Sequence, residues 1–303
     1  MSLIRIRVHR RILSRATLPT ACPISGTRLR VYARKPCNAP QPKNMSALAW
    51  PQPDLAVVRI ARTGRGNAFD TRLVETLHAA IAEAAVQPAA QTLVFHAEGP
   101  DFSTGMDLSD LESETDDTLA ARFIAIEDFL ATVWSSRLRT VACVHGRAWG
   151  AAADLVVACD LRMALPDSSF RFPGAQFGLV LGTRRLACRV GSDMARQIVL
   201  EGQTVAAERA VQLGLIHRVV EAFDLESLPR LVVDPETQTA IHAASRAADD
   251  HRTATGVTMP ADVEASLHFD RQALIGSAHR PGLRQRIIDY RTRLKKDATA
   301  RAP

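Results

Sequence analysis

The chain has 303 residues, 47% of them hydrophobic, enough to bury one sizeable core with a smaller appendage. Its formal charge of +6 is an N-terminal property: residues 1–44 hold eight Arg and two Lys but no acid, leaving the rest at −4, which argues against a nucleic-acid surface spread over the domain. No run reaches the roughly 18–20 apolar residues of a membrane span, and the five cysteines (Cys22, Cys37, Cys143, Cys159, Cys188) show no CxxC, so a soluble protein in a reducing compartment is expected.

Residues 1–44, rich in Arg and punctuated by Pro19, Pro23, Pro36, Pro40 and Pro42, are expected to be disordered. Their composition is that of an organellar transit peptide, and equally that of an upstream extension before Met45 with no role. The corresponding locations are the mitochondrial matrix and the cytoplasm.

From there strand and helix alternate. Leu55–Ile60 reads as a short strand, and Asp70 or Thr71 caps a helix in which Leu73, Leu77, Ala80, Ile81 and Ala84 recur at helical spacing. Thr92–Ala97 reads as a buried strand. Over 119–134 a helix puts Phe123, Ile126, Leu130 and Val133 on one apolar face and turns Glu127 and Asp128 away from it. Residues 140–144 form the next strand, 150–159 a small-residue helix and 161–165 another strand. Ser192–Leu200 and 205–213 read as helices, the second ending at Gly214, and 216–220 as a strand. Beyond Leu225 the pattern is mostly helical, with Pro235, Pro260 and Pro281 as breaks or starts.

Two small-residue turns each follow an apolar run: Phe102-Ser103-Thr104-Gly105-Met106-Asp107-Leu108, and the stretch HGRAWGAAADL from His145 to Leu155. Such a pair can aim two backbone N–H groups at one oxygen, as a thioester carbonyl requires when it becomes an enolate. Fixed donors in a dry pocket stabilise that charge without reorganising. There is no G-x-S-x-G elbow, no phosphate-binding G-x-x-x-x-G-K-[ST] and no H-E-x-x-H. A metal is not required where backbone donors polarise the carbonyl.

With Asn67-Ala68, residues 170–173 and EGQTVAAERAVQLGLIHRVV at 201–220, these turns stand in an order that resembles the crotonase superfamily, which includes enoyl-CoA hydratases and isomerases. The resemblance runs over about residues 54–220. It implies an α/β fold, a spiral of repeated ββα units with a C-terminal helical region that builds trimers or hexamers. The organisation expected is an extension over 1–44, a catalytic core over 45–225 and a helical region over 226–303. The implied substrate is an acyl-CoA thioester whose CoA needs no further cofactor or metal, in fatty-acid or related acyl-CoA breakdown. By motif position the oxyanion donors are the N–H groups of Met106 and Ala151, while Gly105, Asp107 and Leu108 line the substrate path.

Hydratases of the superfamily place two glutamates about the double bond. The first position falls on Asp154 and the second, after Pro173, on Gly174, with the following glycine-rich stretch shortened to Gly182-Thr183-Arg184-Arg185-Leu186. One carboxylate supports isomerase, decarboxylase or weak hydratase chemistry, whereas two are needed for ordinary acid–base hydration. The alternative is a non-catalytic acyl-CoA-binding relative. His145 is a candidate second proton carrier, or a hydrogen-bonded structural residue. Arg62 and Arg65 are candidate phosphate partners, or solvated arginines. Asp107 is also a candidate turn cap, and the basic run of Arg284, Arg286, Arg291, Arg293, Lys295 and Lys296 reads as a solvated face.

Overall fold

Strand-forming runs that are apolar on both sides demand cover on both sheet faces. A computed structural model describes residues 30–31, 46–252 and 263–300 and shows how that cover is built. Most of the N-terminal extension, Cys22, Cys37 and Pro260 lie outside the described residues. Within the extension, Arg30–Val31 (β1) pairs antiparallel with Phe223–Asp224, a local exception to the expectation of disorder over 1–44.

The next strands are β2 (Ser46–Gln52), β3 (Leu55–Ile60), β4 (Thr92–Ala97), β5 (Arg139–Val144), β6 (Arg147–Trp149), β7 (Leu161–Ala164), β8 (Ser169–Arg171), β9 (Thr204–Ala206), β10 (Arg218–Val219) and β11 (Phe223–Asp224). The helices are α1 (Thr71–Val86), α2 (Asp116–Trp134), α3 (Ala151–Ala158), α4 (Thr183–Val190), α5 (Ser192–Leu200), α6 (Ala207–Gln212), α7 (Pro235–Arg252), α8 (Val263–Ala278) and α9 (Leu283–Ala300).

A six-stranded sheet has the order β10-β7-β5-β4-β3-β2, parallel except for the antiparallel edge strand β2. A smaller sheet, β6-β8-β9, forms a second layer. Parallel bridges Phe69–Met106 and Ser103–Ala148 continue that layer, as does the parallel pairing of β6 with β8. Strands β3, β4, β5 and β7 of the large sheet are each followed by a short extended segment in the small one, and the chain winds as a spiral of ββα turns.

Val58, Ile60, Leu93, Phe95, Ala142 and Val144 turn toward the helices into the main core. Val57, Val94, Val141, Cys143 and Met163 turn the other way, under Phe223, Leu225 and Leu228. Helix α1 starts where expected: the Asp70 side chain accepts from Leu73 N–H at 2.7 Å. Helix α2 starts three residues before 119, in a capping box between Thr115 and Thr118. The helix expected over 205–213 is shorter, because Val205 pairs with Phe170 in the small sheet and only Ala207–Gln212 is helical.

Two further expectations are corrected. Glu127 does not point to solvent but is 1% exposed, fully inside. The basic C-terminal run is not a solvated face throughout, because Arg284, Arg286, Arg291 and Arg293 donate to the carbonyls of Leu111, Phe177, Leu108 and Gln176. These bonds lash α9 over the turns beside residue 106. Leu283, Ile287 and Tyr290 of α9 pack there with Leu111, Phe123, Phe177 and Leu179 in a second core cluster, against which Met106, Leu108 and Leu181 rest.

Candidate active site

The two small-residue turns run side by side. Phe102 N–H donates to the His145 carbonyl (2.8 Å), Ser103 N–H to Arg147 (2.9 Å) and Trp149 N–H to Ser103 (3.1 Å). Thr104 and Asp107 N–H donate to the carbonyls of Gly66 and Phe69, and Gly150 N–H to that of Arg171. Gly105 N–H donates to Ser103 Oγ. Within this stitching the N–H groups of Met106 and Ala151 have no acceptor among the described residues. A buried donor without a partner is uncommon and calls for a ligand or a cost.

The glycines explain the close approach. Gly105 has φ +90°, and a Cβ there would lie 2.5 Å from the Trp149 carbonyl oxygen and 3.5 Å from the Ala151 nitrogen. Gly150 has φ +56° and ψ −130°, a region that side chains disfavour, and a Cβ there would lie 3.9 Å from Gly105 Cα. Ala151 opens α3, so its N–H stands at the positive end of that helix, beside the Gly105 turn.

Asp154 lies three residues along α3, on the face that carries Ala151. Its side chain is buried and its Oδ1 has no hydrogen-bond partner. Burial drives its carboxyl well above the usual carboxylate range, with Arg185 pulling it down and Glu127 pushing it further up. A Cβ on Gly182 would fall 2.2 Å from Asp154 Oδ1, so the bare glycine backbone gives the carboxyl its room.

Gly174 is the second residue of a 3-10 turn, Pro173–Phe177, and Pro173 touches the Gly150 turn, 3.8 Å from a Cβ placed there. Residue 174 thus stands beside the Gly150 turn and carries no side chain.

Other sequence candidates are placed differently. Asp107 is buried, with its carboxylate engaged by Arg62 (2.6 Å) and by Ser109 N–H (2.9 Å), as a turn cap would be. Arg62 also pairs with Asp70 at 3.2 Å and donates to the Ala68 carbonyl, so its charge is neutralised within the fold. Arg65 stays exposed on the turn Thr63–Arg65, next to Gly66, whose carbonyl accepts from Thr104. Leu108 is half-buried against the α9 cluster. The His145 ring bonds the Gly99 carbonyl at 3.0 Å, as in the structural reading, and lies 6.1 Å from the His96 ring; burial lowers its pKa. Its Nδ1 is buried without a hydrogen-bond partner.

Four charged residues were missed by sequence reasoning. Arg185 is fully buried and donates to both oxygens of Glu127 (2.9 and 2.5 Å) and to Asp270 (3.2 Å), while Arg184 holds Asp270 through Nε and Nη2. The signal was present at Glu127, since residues 123, 127 and 130 follow helical i, i+4, i+7 spacing.

The enoyl-CoA hydratase/isomerase family profile matches residues 52–279. The chain belongs to the enoyl-CoA hydratase/isomerase family. Among its relatives, the probable enoyl-CoA hydratase echA6 of Mycobacterium bovis is 32% identical over 174 residues, covering 56% of this chain and 69% of the relative. The mitochondrial enoyl-CoA hydratase domain-containing protein 3 of Mus musculus is 31% identical over 168 residues, 54% of this chain and 55% of its own. A solved Bordetella parapertussis protein of the enoyl-CoA hydratase/isomerase group superposes with a TM-score of 0.71 at 32% identity, over 81% of this chain and 98% of that one. The crotonase-type spiral is thus common to this family member and its solved relative.

Proposed function

We propose that this chain acts on acyl-CoA thioesters, holding an enolate between the N–H groups of Met106 and Ala151 while Asp154 moves the proton. The observation that carries this reading is the pair of adjoining amides without an acceptor among the described residues, beside a buried carboxyl that lies one turn along α3 from Ala151 and whose Oδ1 has no partner. Paired donors lower the cost of charge on the thioester oxygen, and losing one typically removes about 2.7–4 kcal/mol of transition-state stabilisation.

With a single carboxylate the reaction supported best is double-bond migration. Asp154, ionised, takes a proton from C2 of a 3-enoyl thioester, and the electrons move into the dienolate. The same carboxyl then returns the proton at C4, giving the 2-enoyl product with no atom gained or lost. Backbone donors do the polarising, so the reaction calls for no cofactor beyond the CoA of the substrate. The apolar cluster of Phe123, Phe177, Leu179 and Tyr290 beside Met106 and Leu108 suits an acyl chain, and Arg65 suits a CoA phosphate.

The core over 45–225, the helical region over 226–303 and a homo-trimer or homo-hexamer belong to this same reading, as does a role in fatty-acid or related acyl-CoA breakdown. A cytoplasmic or mitochondrial-matrix location belongs to it too, and the mouse relative is named as mitochondrial. Among the described residues no helix is long and apolar enough to cross a membrane.

Gly174 favours one second reading, an acyl-CoA binder without turnover. Assays of 3-enoyl- and 2-enoyl-CoA with the native chain and with Asp154→Ala separate the two. Turnover abolished by the substitution supports the enzyme; acyl-CoA binding with turnover in neither supports the binder.

A further inference from the structure

Helix α4 begins immediately after Gly182, whose backbone abuts Asp154, and its first turn sends Arg184 and Arg185 inward between α2 and α8. There two guanidinium groups meet two carboxylates, Glu127 and Asp270. These four ion-paired groups carry no net charge between them, so ionised Asp154 adds one negative charge beside them. Two atoms in this buried group lack hydrogen-bond partners, Arg185 Nε and Asp154 Oδ1. Arg185 stands three residues beyond the Gly182 backbone that abuts Asp154, and its guanidinium is turned toward Glu127.

We propose that Arg185, clamped by Glu127 and Asp270, is a positioning residue that sets when Asp154 carries charge, and so when the site can take up a proton. The proposal rests on Asp154 as the proton-moving group. The charged groups facing Asp154 are Arg185 from α4, with Arg184 beside it, and Glu127 from α2; Asp270 of α8 acts behind Arg185. Arg147 on β6 is turned outward onto Asp101. Glu127 has two effects of one sign: it repels the Asp154 carboxylate and it claims the Arg185 cation. Removing its charge frees Arg185 to favour the ionised form of Asp154.

The test is a pH titration of the Asp154 carboxyl carbon by NMR in the full chain labelled at aspartate Cγ, with Asp154→Asn identifying the signal. Glu127→Gln is expected to lower the Asp154 midpoint by about one pH unit, as loss of one nearby like charge does. Arg185→Lys, which keeps the charge, is expected to stay near the native midpoint, whereas Arg185→Gln, which removes it, is expected to raise the midpoint, and no rise in Arg185→Gln overturns the proposal. An unchanged midpoint in Glu127→Gln overturns the proposal. Should that variant not fold, Asp270→Asn replaces it, with a smaller downward shift expected and no shift overturning the proposal. The pH profile of 3-enoyl-CoA isomerisation is read separately. If the midpoint moves while the rate profile does not, Arg185 keeps its positioning role and the reading of Asp154 as proton carrier is what fails.

Discussion

The bare Cα of Gly105 sits against the carbonyl of Trp149, at a distance where a Cβ would come within 2.5 Å of that oxygen. This contact presses the Met106 and Ala151 turns together, and it separates the two site glycines by mechanism. Gly105→Ala meets immovable backbone as well as a positive φ, whereas Gly150→Ala meets nothing closer than 3.8 Å and carries backbone strain alone, about 1–3 kcal/mol. Gly105→Ala is therefore expected to lose more stability in urea unfolding than Gly150→Ala. Equal losses would show that the close approach is not what the glycine serves.

Asp154→Asn keeps the shape and removes the titrating proton. Turnover of a 3-enoyl thioester is expected to fall about 10²- to 10⁴-fold, the usual worth of positioned acid–base catalysis. Stability should hold or rise, because Oδ1 has no partner to lose. Native-like kcat in this variant would remove Asp154 from the chemistry.

The same residue shapes stability against pH. Its folded carboxyl titrates above the ordinary value of 3.8, so the folded state keeps the proton longer than the unfolded chain. Between those two points stability falls as pH rises. Chemical denaturation across that window should show a shallower downward slope in Asp154→Asn than in the native chain, and parallel slopes would contradict the burial of this charge. Asp101 acts in the opposite sense. Hydrogen bonds from Arg147 hold its carboxyl below the usual range, and the stability it contributes disappears as the solution is acidified through that lowered value.

Gly174 offers a gain of function. A Cβ there meets only ordinary contacts, 3.7 Å to Leu179 Cβ and 3.8 Å to its carbonyl. Gly174→Glu is expected to fold and to raise 2-enoyl-CoA hydration by about 10²-fold, the lower range for an added acid–base group. A folded variant with no gain would mean that the carboxyl misses the double bond.

The two arginines near the first turn should part company. Arg62→Ala breaks pairs with Asp107 and Asp70 and is expected to cost about 1–2 kcal/mol of stability. Arg65→Ala is expected to leave the melting temperature unchanged and to weaken CoA binding several-fold, about 1 kcal/mol, as read by calorimetry. A normal CoA affinity would return Arg65 to the solvated surface.

Local pattern was legible where one face or one cap decided the outcome. Leu55–Ile60, Thr92–Ala97 and Ser192–Leu200 occur with the bounds read from apolar runs and spacing, and Asp70 caps α1 as its type predicts. Thr183–Val190 was not foreseen as a helix, because the side chains it buries include Arg184 and Arg185, which no apolar periodicity reports. Val205 was misassigned to a helix because its pairing with Phe170 is a contact across 35 positions, invisible to a local window. Glu127 was turned outward for a related reason: a carboxylate is assigned to solvent until its partner is known, and Arg185 lies 58 residues away.

Residue type was legible in the sequence itself: the glycines of the two turns, a carboxylate at residue 154 and none at residue 174. Folding in three dimensions alone decided that the Met106 and Ala151 amides find no acceptor among the described residues, that the His145 ring bonds the Gly99 carbonyl, and that Asp154 shares its interior with Arg185 and Glu127. The physical reason is range. Propensity and periodicity act over one or two turns of chain, whereas burial and charge act through space, between residues that only the completed spiral makes neighbours.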